Sequence, residues 1–180
     1  MLEVLGVHSN VVGDVALTDG HAWVSLHYTN GNSTTVGLWA TGDVLGGRHF
    51  IYDPIGVTDS TAEQGEVQWG LEAKRHYLAK ASRYYKLYPQ QLQQVVKVLG
   101  AYTGWRFTHT CASWATDVVK QLVGEDLNSA ELLGATNTPR ALGNAIQALE
   151  ARIPTSIDMP RELRVLAQPA SRLTPVRQAS

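Results

Sequence analysis

The first part of the chain carries short runs of β-branched and aromatic residues broken by turn formers, the pattern of strands. Val4 to Val12 and Val15 to Leu17 are β-like pieces separated by Gly13-Asp14. His21-Ala-Trp-Val-Ser-Leu-His-Tyr28 and Thr34-Thr-Val-Gly-Leu-Trp39 flank Thr29-Asn-Gly-Asn-Ser33, and two such runs around Asn-Gly predict a hairpin. A turn about Gly31 pairs Tyr28 with Thr34. Phe50-Ile-Tyr52 predicts a further short strand. Residues 40–68 otherwise hold many Gly and Asp and few apolar anchors, so they read as a long loop region suited to a functional role.

The second part reads as helices. Val67 to Tyr84 are assigned a first one, on imperfect apolar spacing. Pro89 opens a clearer one, with Leu92, Val95, Val96 and Leu99 at helical spacing and Gly100 or Gly104 as its end. A third starts near Thr110: Cys111, Trp114, Ala115, Val118, Val119 and Leu122 form one stripe, and Gly124 terminates it. The fourth has Thr138 as N-cap and Pro139 at the first helical position, with Leu142, Ala145, Ile146 and Leu149 on its apolar face. From Pro154 onward Pro, Arg, Ser and Gln accumulate without period. The expectation is one domain over residues 1–153 and a loosely ordered tail over 154–180.

Composition narrows the function. The 180 residues are 44% hydrophobic, enough for one domain with a real core. A net charge of −1 without a basic block argues against nucleic-acid binding, which rests on Lys and Arg neutralising phosphates. No run approaches the roughly 20 apolar residues of a membrane-spanning helix. Met1 to Val15 hold no Lys or Arg and no long apolar stretch, so no cleavable secretory signal is expected. One cysteine excludes an internal disulfide. There is no Gly-rich phosphate loop, no Gly-x-Ser-x-Gly elbow and no His-Glu-x-x-His, and His and acidic residues are too scattered to predict a metal site. No cofactor is expected.

The chemistry centres on Cys111. At the start of a helix, partial positive charge and unpaired N–H groups favour thiolate over thiol. The same N–H groups can receive an oxyanion. The polar, turn-rich approach Gly104-Trp-Arg-Phe-Thr-His-Thr110 puts the thiol at the rim of the core. A cysteine nucleophile needs a base, normally His. Of His8, His21, His27, His49, His76 and His109, His21 is the candidate, because it follows Asp19-Gly20 and opens a hairpin strand that can face a helix N-terminus. His27 shares its face but lies near the turn, and His109 is too close to Cys111 along the chain to aim at the sulfur. With Tyr28 opposite Thr34, His21 lies opposite Thr41 and Asp43 is diagonal to it, a candidate to orient the imidazole; Asp53 is a second. The non-catalytic alternative is a binding module in which Cys111 is core and His21 structural.

The order of a Gly20-His21-Ala22-Trp23 strand, a hairpin and then a Thr110-Cys111-Ala112-Ser113-Trp114-Ala115 helix resembles the circularly permuted branch of the NlpC/P60 papain-like superfamily, in which the His strand precedes the Cys helix. Gly20 to Leu26, Gly37-Leu-Trp39, Tyr85-Lys-Leu-Tyr-Pro89, Cys111 to Val119 and Thr138-Pro-Arg-Ala-Leu-Gly143 are also similar to bacterial proteins associated with type VI secretion toxins. The resemblance covers roughly residues 18–150. It implies an α+β fold with a papain-like core, an antiparallel sheet packed against helices, and a Cys–His pair hydrolysing amides or esters. The implied substrate is peptidoglycan peptide or another acyl group, with lipid esterase or acyltransferase chemistry as the alternative. A cognate immunity protein, a secretion-apparatus carrier, and export from the bacterial cytoplasm to a target cell's periplasm follow from the same resemblance. The second polar residue that many members place about a dozen positions after the His falls near Ser33, inside the turn, which leaves Asp43 to be tested as orienter.

Overall fold

The computed structural model describes residues 1–16, 19–40, 65–101, 109–131, 134 and 136–163. Their architecture is α+β: an antiparallel five-stranded sheet with helices packed on it. The strands are β1 (Leu2–Ser9), β2 (Ala22–Tyr28), β3 (Ser33–Ala40), β4 (Gly65–Trp69) and β5 (Ala81–Lys86), in the order β4-β3-β2-β1-β5. The short pair β6 (Ala130–Glu131) and β7 (Thr136–Asn137) forms a second sheet.

Strand alternation gives each face of the large sheet its own chemistry. Leu5 and Val7, Ala22, Val24 and Leu26, Val36 and Leu38, and Ala81 and Tyr85 supply the apolar face. Against it lies the helix Cys111–Val123, whose Cys111, Trp114, Ala115, Val118, Val119 and Leu122 join the same core. The opposite face carries His8, Trp23, Ser25, His27, Ser82 and Tyr84 in adjacent register positions. Here His8 bonds Ser82 Oγ at 2.8 Å and Ser25 Oγ at 2.6 Å, and Ser25 Oγ lies 2.7 Å from His27 Nε2. Burial, reinforced by the nearby His27, pushes the His8 imidazole down to about 3, so it is neutral.

The hairpin forms where expected, in a different register. Leu26 faces Thr34 and His27 faces Ser33, not Tyr28 facing Thr34. Tyr28 instead closes the turn, with its N–H on Asn32 O at 2.9 Å and its carbonyl accepting from Gly31 N at 3.0 Å. That shift carries Trp39, rather than Thr41, across from His21.

Numbered in chain order, the helices are α1 (Leu71–Lys74), α2 (Pro89–Leu92), α3 (Val95–Leu99), α4 (Cys111–Val123) and α5 (Pro139–Glu150). The helix expected over residues 67–84 is β4, α1 and β5 instead. Strand pairing to β3 and β1 overrides the weak helical spacing, because β5 alternates Ala81, Arg83 and Tyr85 into the interior. The helix from Pro89 is two short pieces, and Gln91 between the apolar positions donates from its buried amide to Leu122 O at 2.8 Å. Val15 and Ala16 are not strand; Phe50 to Tyr52 and most of the expected loop region lie outside the described residues.

The ends of α4 and α5 form as their sequences direct. Thr110 Oγ1 accepts from the amides of Ala112 and Ser113 at 3.2 and 3.4 Å, and Ser113 Oγ accepts from Thr110 N at 3.2 Å. Gly124 ends α4 with φ 77°. Thr138 Oγ1 caps α5 by accepting from Ala141 N at 3.2 Å. Gly143 lets α5 approach the chain after β1, since a methyl there would collide with the carbonyl oxygen of Val11. Gly143→Ala is expected to lower unfolding free energy by about 1–3 kcal/mol, as overpacking against backbone does, measured by denaturant titration.

Residues 154–163, expected to hang loosely, are part of the domain. Arg161 N donates to Tyr84 O at 2.8 Å, Lys86 N to Arg161 O at 2.9 Å, and Tyr84 N to Thr155 Oγ1 at 2.9 Å. The buried Arg83 holds the same region, with Nε 3.1 Å from Glu125 and Nη1 2.6 Å from Glu150 and 3.1 Å from Ile153 O. The bare edge of β5 thus gains main-chain partners that composition alone does not reveal. Among the described residues no helix is long and apolar enough to cross a membrane.

Candidate active site

His21 immediately precedes β2, and its backbone is clasped by Asn10. Asn10 Oδ1 accepts from His21 N at 2.7 Å, and Asn10 N donates to His21 O at 3.2 Å. Gly20 makes the turn into the strand at φ 93°, where a side chain would also collide with Val11. His21 as a whole is 6% exposed. Its Nε2 lies 3.0 Å from Glu72 Oε1, which also accepts from Trp39 Nε1 at 2.9 Å.

Glu72 reaches this point because α1 and β3 leave room for it. Gly37 on β3 has no side chain, and a methyl there would strike Glu72 Oε1. The end of α1 is locked by two backbone bonds, Tyr77 N to Glu72 O at 2.9 Å and His76 N to Ala73 O at 3.2 Å. His76 takes the left-handed position of that motif at φ 55°, where glycine is usual. The motif delivers Tyr77 onto the site, with ring centroids 5.6 Å from His21 and 5.7 Å from Trp39. The Trp39 ring lies 4.0 Å from His21 at a tilt of 36°, and Trp23 stacks beside the imidazole at 5.8 Å. The His21–Glu72 bond is therefore walled by aromatic rings, which exclude water from it.

Cys111, 8% exposed, is the first residue of α4, and its thiol lies within electrostatic reach of His21, beside the backbone of Ala22 and Ala112. With Nε2 committed to Glu72, Nδ1 is the imidazole atom left to face Sγ. Burial pushes the thiol up, but the charge of the His21 imidazolium, its hydrogen bond and the two amides outweigh burial and hold the thiol below its ordinary value. Burial likewise pulls the imidazole down; the Cys111 thiolate and then Glu72 outweigh it and raise His21 to about 9. For Glu72, burial raises the carboxyl while hydrogen bonding to His21 outweighs it and keeps it below the usual range. All three shifts favour one charge pattern, thiolate, imidazolium and carboxylate in a row.

The expected pair Cys111 and His21 is thus brought together. Asp43, Asp53 and His49 lie outside the described residues. The position beside Nε2 is filled by Glu72, which sequence reasoning missed because it sits inside the stretch read as a helix. Trp39, Tyr77 and Asn10 were missed as site residues too; the one prior signal was Trp39 in the Gly37-Leu-Trp39 stretch. His109 pairs with Asp117 at 3.9 Å, His8 and His27 occupy the polar network on the sheet, and His76 is exposed at the end of α1. Among the described residues no group of three or more His, Cys, Asp or Glu is placed to hold a metal ion.

The arrangement can activate a nucleophile, carry its proton and orient the carrier. The cap of α4 takes the amides of Ala112 and Ser113, so the amide of Cys111 is the first-turn donor that Thr110 does not occupy. Comparison with protein-family models, curated proteins and solved structures finds no match for this chain.

Proposed function

We propose that the chain is a cysteine hydrolase with a permuted papain-like core, an amidase or endopeptidase that cleaves peptide bonds of bacterial cell wall and is delivered as an antibacterial toxin. The observation that supports it most is the row Cys111–His21–Glu72, with a thiol, imidazole and carboxylate each shifted toward the charge that catalysis needs. Such a row in a wall of aromatic rings is not what a packing cysteine requires.

In this reading the Cys111 thiolate attacks the carbonyl carbon, and the developing oxyanion takes the Cys111 N–H at the start of α4. The imidazolium gives its Nδ1 proton to the departing amine as the C–N bond breaks, leaving an acyl-enzyme. A water then loses a proton to the imidazole and attacks the thioester carbonyl, and the C–S bond breaks to release the acid and restore the thiolate and imidazolium. Glu72 holds the ring and stabilises its positive charge throughout. The choice of peptidoglycan, and with it an immunity protein, a secretion carrier and action in a target cell's periplasm, rests on the resemblance of the His-strand and Cys-helix motifs.

The pH profile of alkylation tests the catalytic part. Iodoacetamide should label Cys111 in folded protein well below the free-thiol value of about 8.5, and His21→Ala should move that midpoint up, because the partner charge is lost. Midpoints at or above the free value in both proteins would make Cys111 a packing residue and leave a binding module. Mass spectrometry of purified peptidoglycan fragments after incubation tests the substrate.

A further inference from the structure

The segment that carries Glu72 into the site also presents cations to solvent. Lys74, Arg75, His76 and Lys80 are exposed, while Glu72 itself is buried. Of these, Arg75 has a defined place. It ends α1, and its guanidinium stands 4.6 Å over the ring of Trp39, whose ring centroid in turn lies 4.0 Å from that of His21. A guanidinium held over a ring by cation–π attraction keeps N–H donors for a planar or tetrahedral anion. Among the described residues Arg75 forms no ion pair. That includes Glu66, which lies directly across from Trp39 on β4.

The side on which Arg75 stands has a chemical meaning. The departing atom takes its proton from the imidazole, so the leaving half of a substrate rests on the imidazole's flank of the thiol. Glu72, Trp39 and Arg75 follow one another outward from Nε2, on the His21 side of the site. We propose that Arg75 recognises an anionic group, a carboxylate or a phosphate, on the acyl substrate, at the Trp39 wall of the site. This rests on the cysteine-hydrolase reading and adds a substrate class to it. A clamp that merely holds α1 to Trp39 needs the cation–π contact but not an anion.

The test uses Cys111 as a local probe of charge in the full chain. Rates of modification are compared for 2-sulfonatoethyl methanethiosulfonate, an anion, and 2-(trimethylammonio)ethyl methanethiosulfonate, a cation. Wild type should prefer the anion. Arg75→Gln should lower the anion-to-cation rate ratio about fivefold at low salt, Arg75→Lys should retain most of it, and Glu66→Gln should raise it. Circular dichroism checks that each variant is folded. Protection of wild-type Cys111 from iodoacetamide by alanylalanine or by glycerol phosphate, lost in Arg75→Gln, assigns the anion to a carboxylate or a phosphate source. A ratio within about twofold of wild type in Arg75→Gln overturns the assignment of Arg75 while leaving a reactive Cys111 in place. A Cys111 that reacts with neither reagent overturns the hydrolase reading itself, and this proposal with it.

Discussion

Cys111→Ala is expected to reduce acyl hydrolysis by about 10⁴-fold or more, to the level left by binding and oxyanion contacts alone. His21→Ala should cost nearly as much, and the double variant little more than either, because nucleophile and base act as one unit. Stability should change far less. Removing a thiol from the first turn of α4 leaves the Thr110 cap and the stripe from Trp114 to Leu122 intact, so about 1 kcal/mol is expected. The measurement pairs turnover of peptidoglycan fragments with a thermal melt. Full turnover by Cys111→Ala would exclude covalent catalysis at this site.

Glu72→Ala is expected to lower turnover by about 10²–10³-fold, since the imidazole loses its orienting bond and Trp39 loses its acceptor. It should also cost about 1–3 kcal/mol, because the indole N–H is left buried without a partner. Glu72→Gln is the sharper probe. Its amide oxygen can still accept from Nε2 and from Trp39, so the geometry survives while the negative charge is lost. The pH profile then carries the signal. Catalysis needs a deprotonated Cys111 and a protonated His21. Activity should therefore fall on the acid side as the thiol regains its proton, and on the alkaline side as the imidazolium loses its own near about 9. Removing the Glu72 charge lowers the proton affinity of His21, so the alkaline limb should move to lower pH in Glu72→Gln. An alkaline limb unmoved in that variant would reduce Glu72 to a packing partner of Trp39.

Nothing in the chemistry of residues 67–84 announces Glu72 as a site residue. It is one of 16 acidic side chains and lies 51 positions from His21 along the chain. A helical period there and a strand–helix–strand segment use many of the same apolar residues, and only pairing with β1 and β3 separates them. Arg83 compounds the ambiguity. A buried arginine reads as a solvent position until Glu125 and Glu150 are seen to neutralise it.

What the sequence by itself determined is local. Thr110 and Ser113 set the start of α4, Thr138 and Pro139 the start of α5, and Gly124 the end of α4, because capping satisfies backbone groups within a few residues. The Asn-Gly hairpin and the stripe of α4 follow from side-chain period in the same way, and together they placed Cys111 at a helix start and His21 at a strand start. Tertiary structure decided everything that depends on register and on contacts far apart in sequence. The hairpin register, shifted by two residues from the expected pairing, put Trp39 rather than Thr41 across from His21. Gly37 opened a space on β3, and α1 filled it with a carboxylate. Residues 154–163 were drawn onto β5 by main-chain bonds that any sequence can make, which is why their composition suggested a free tail.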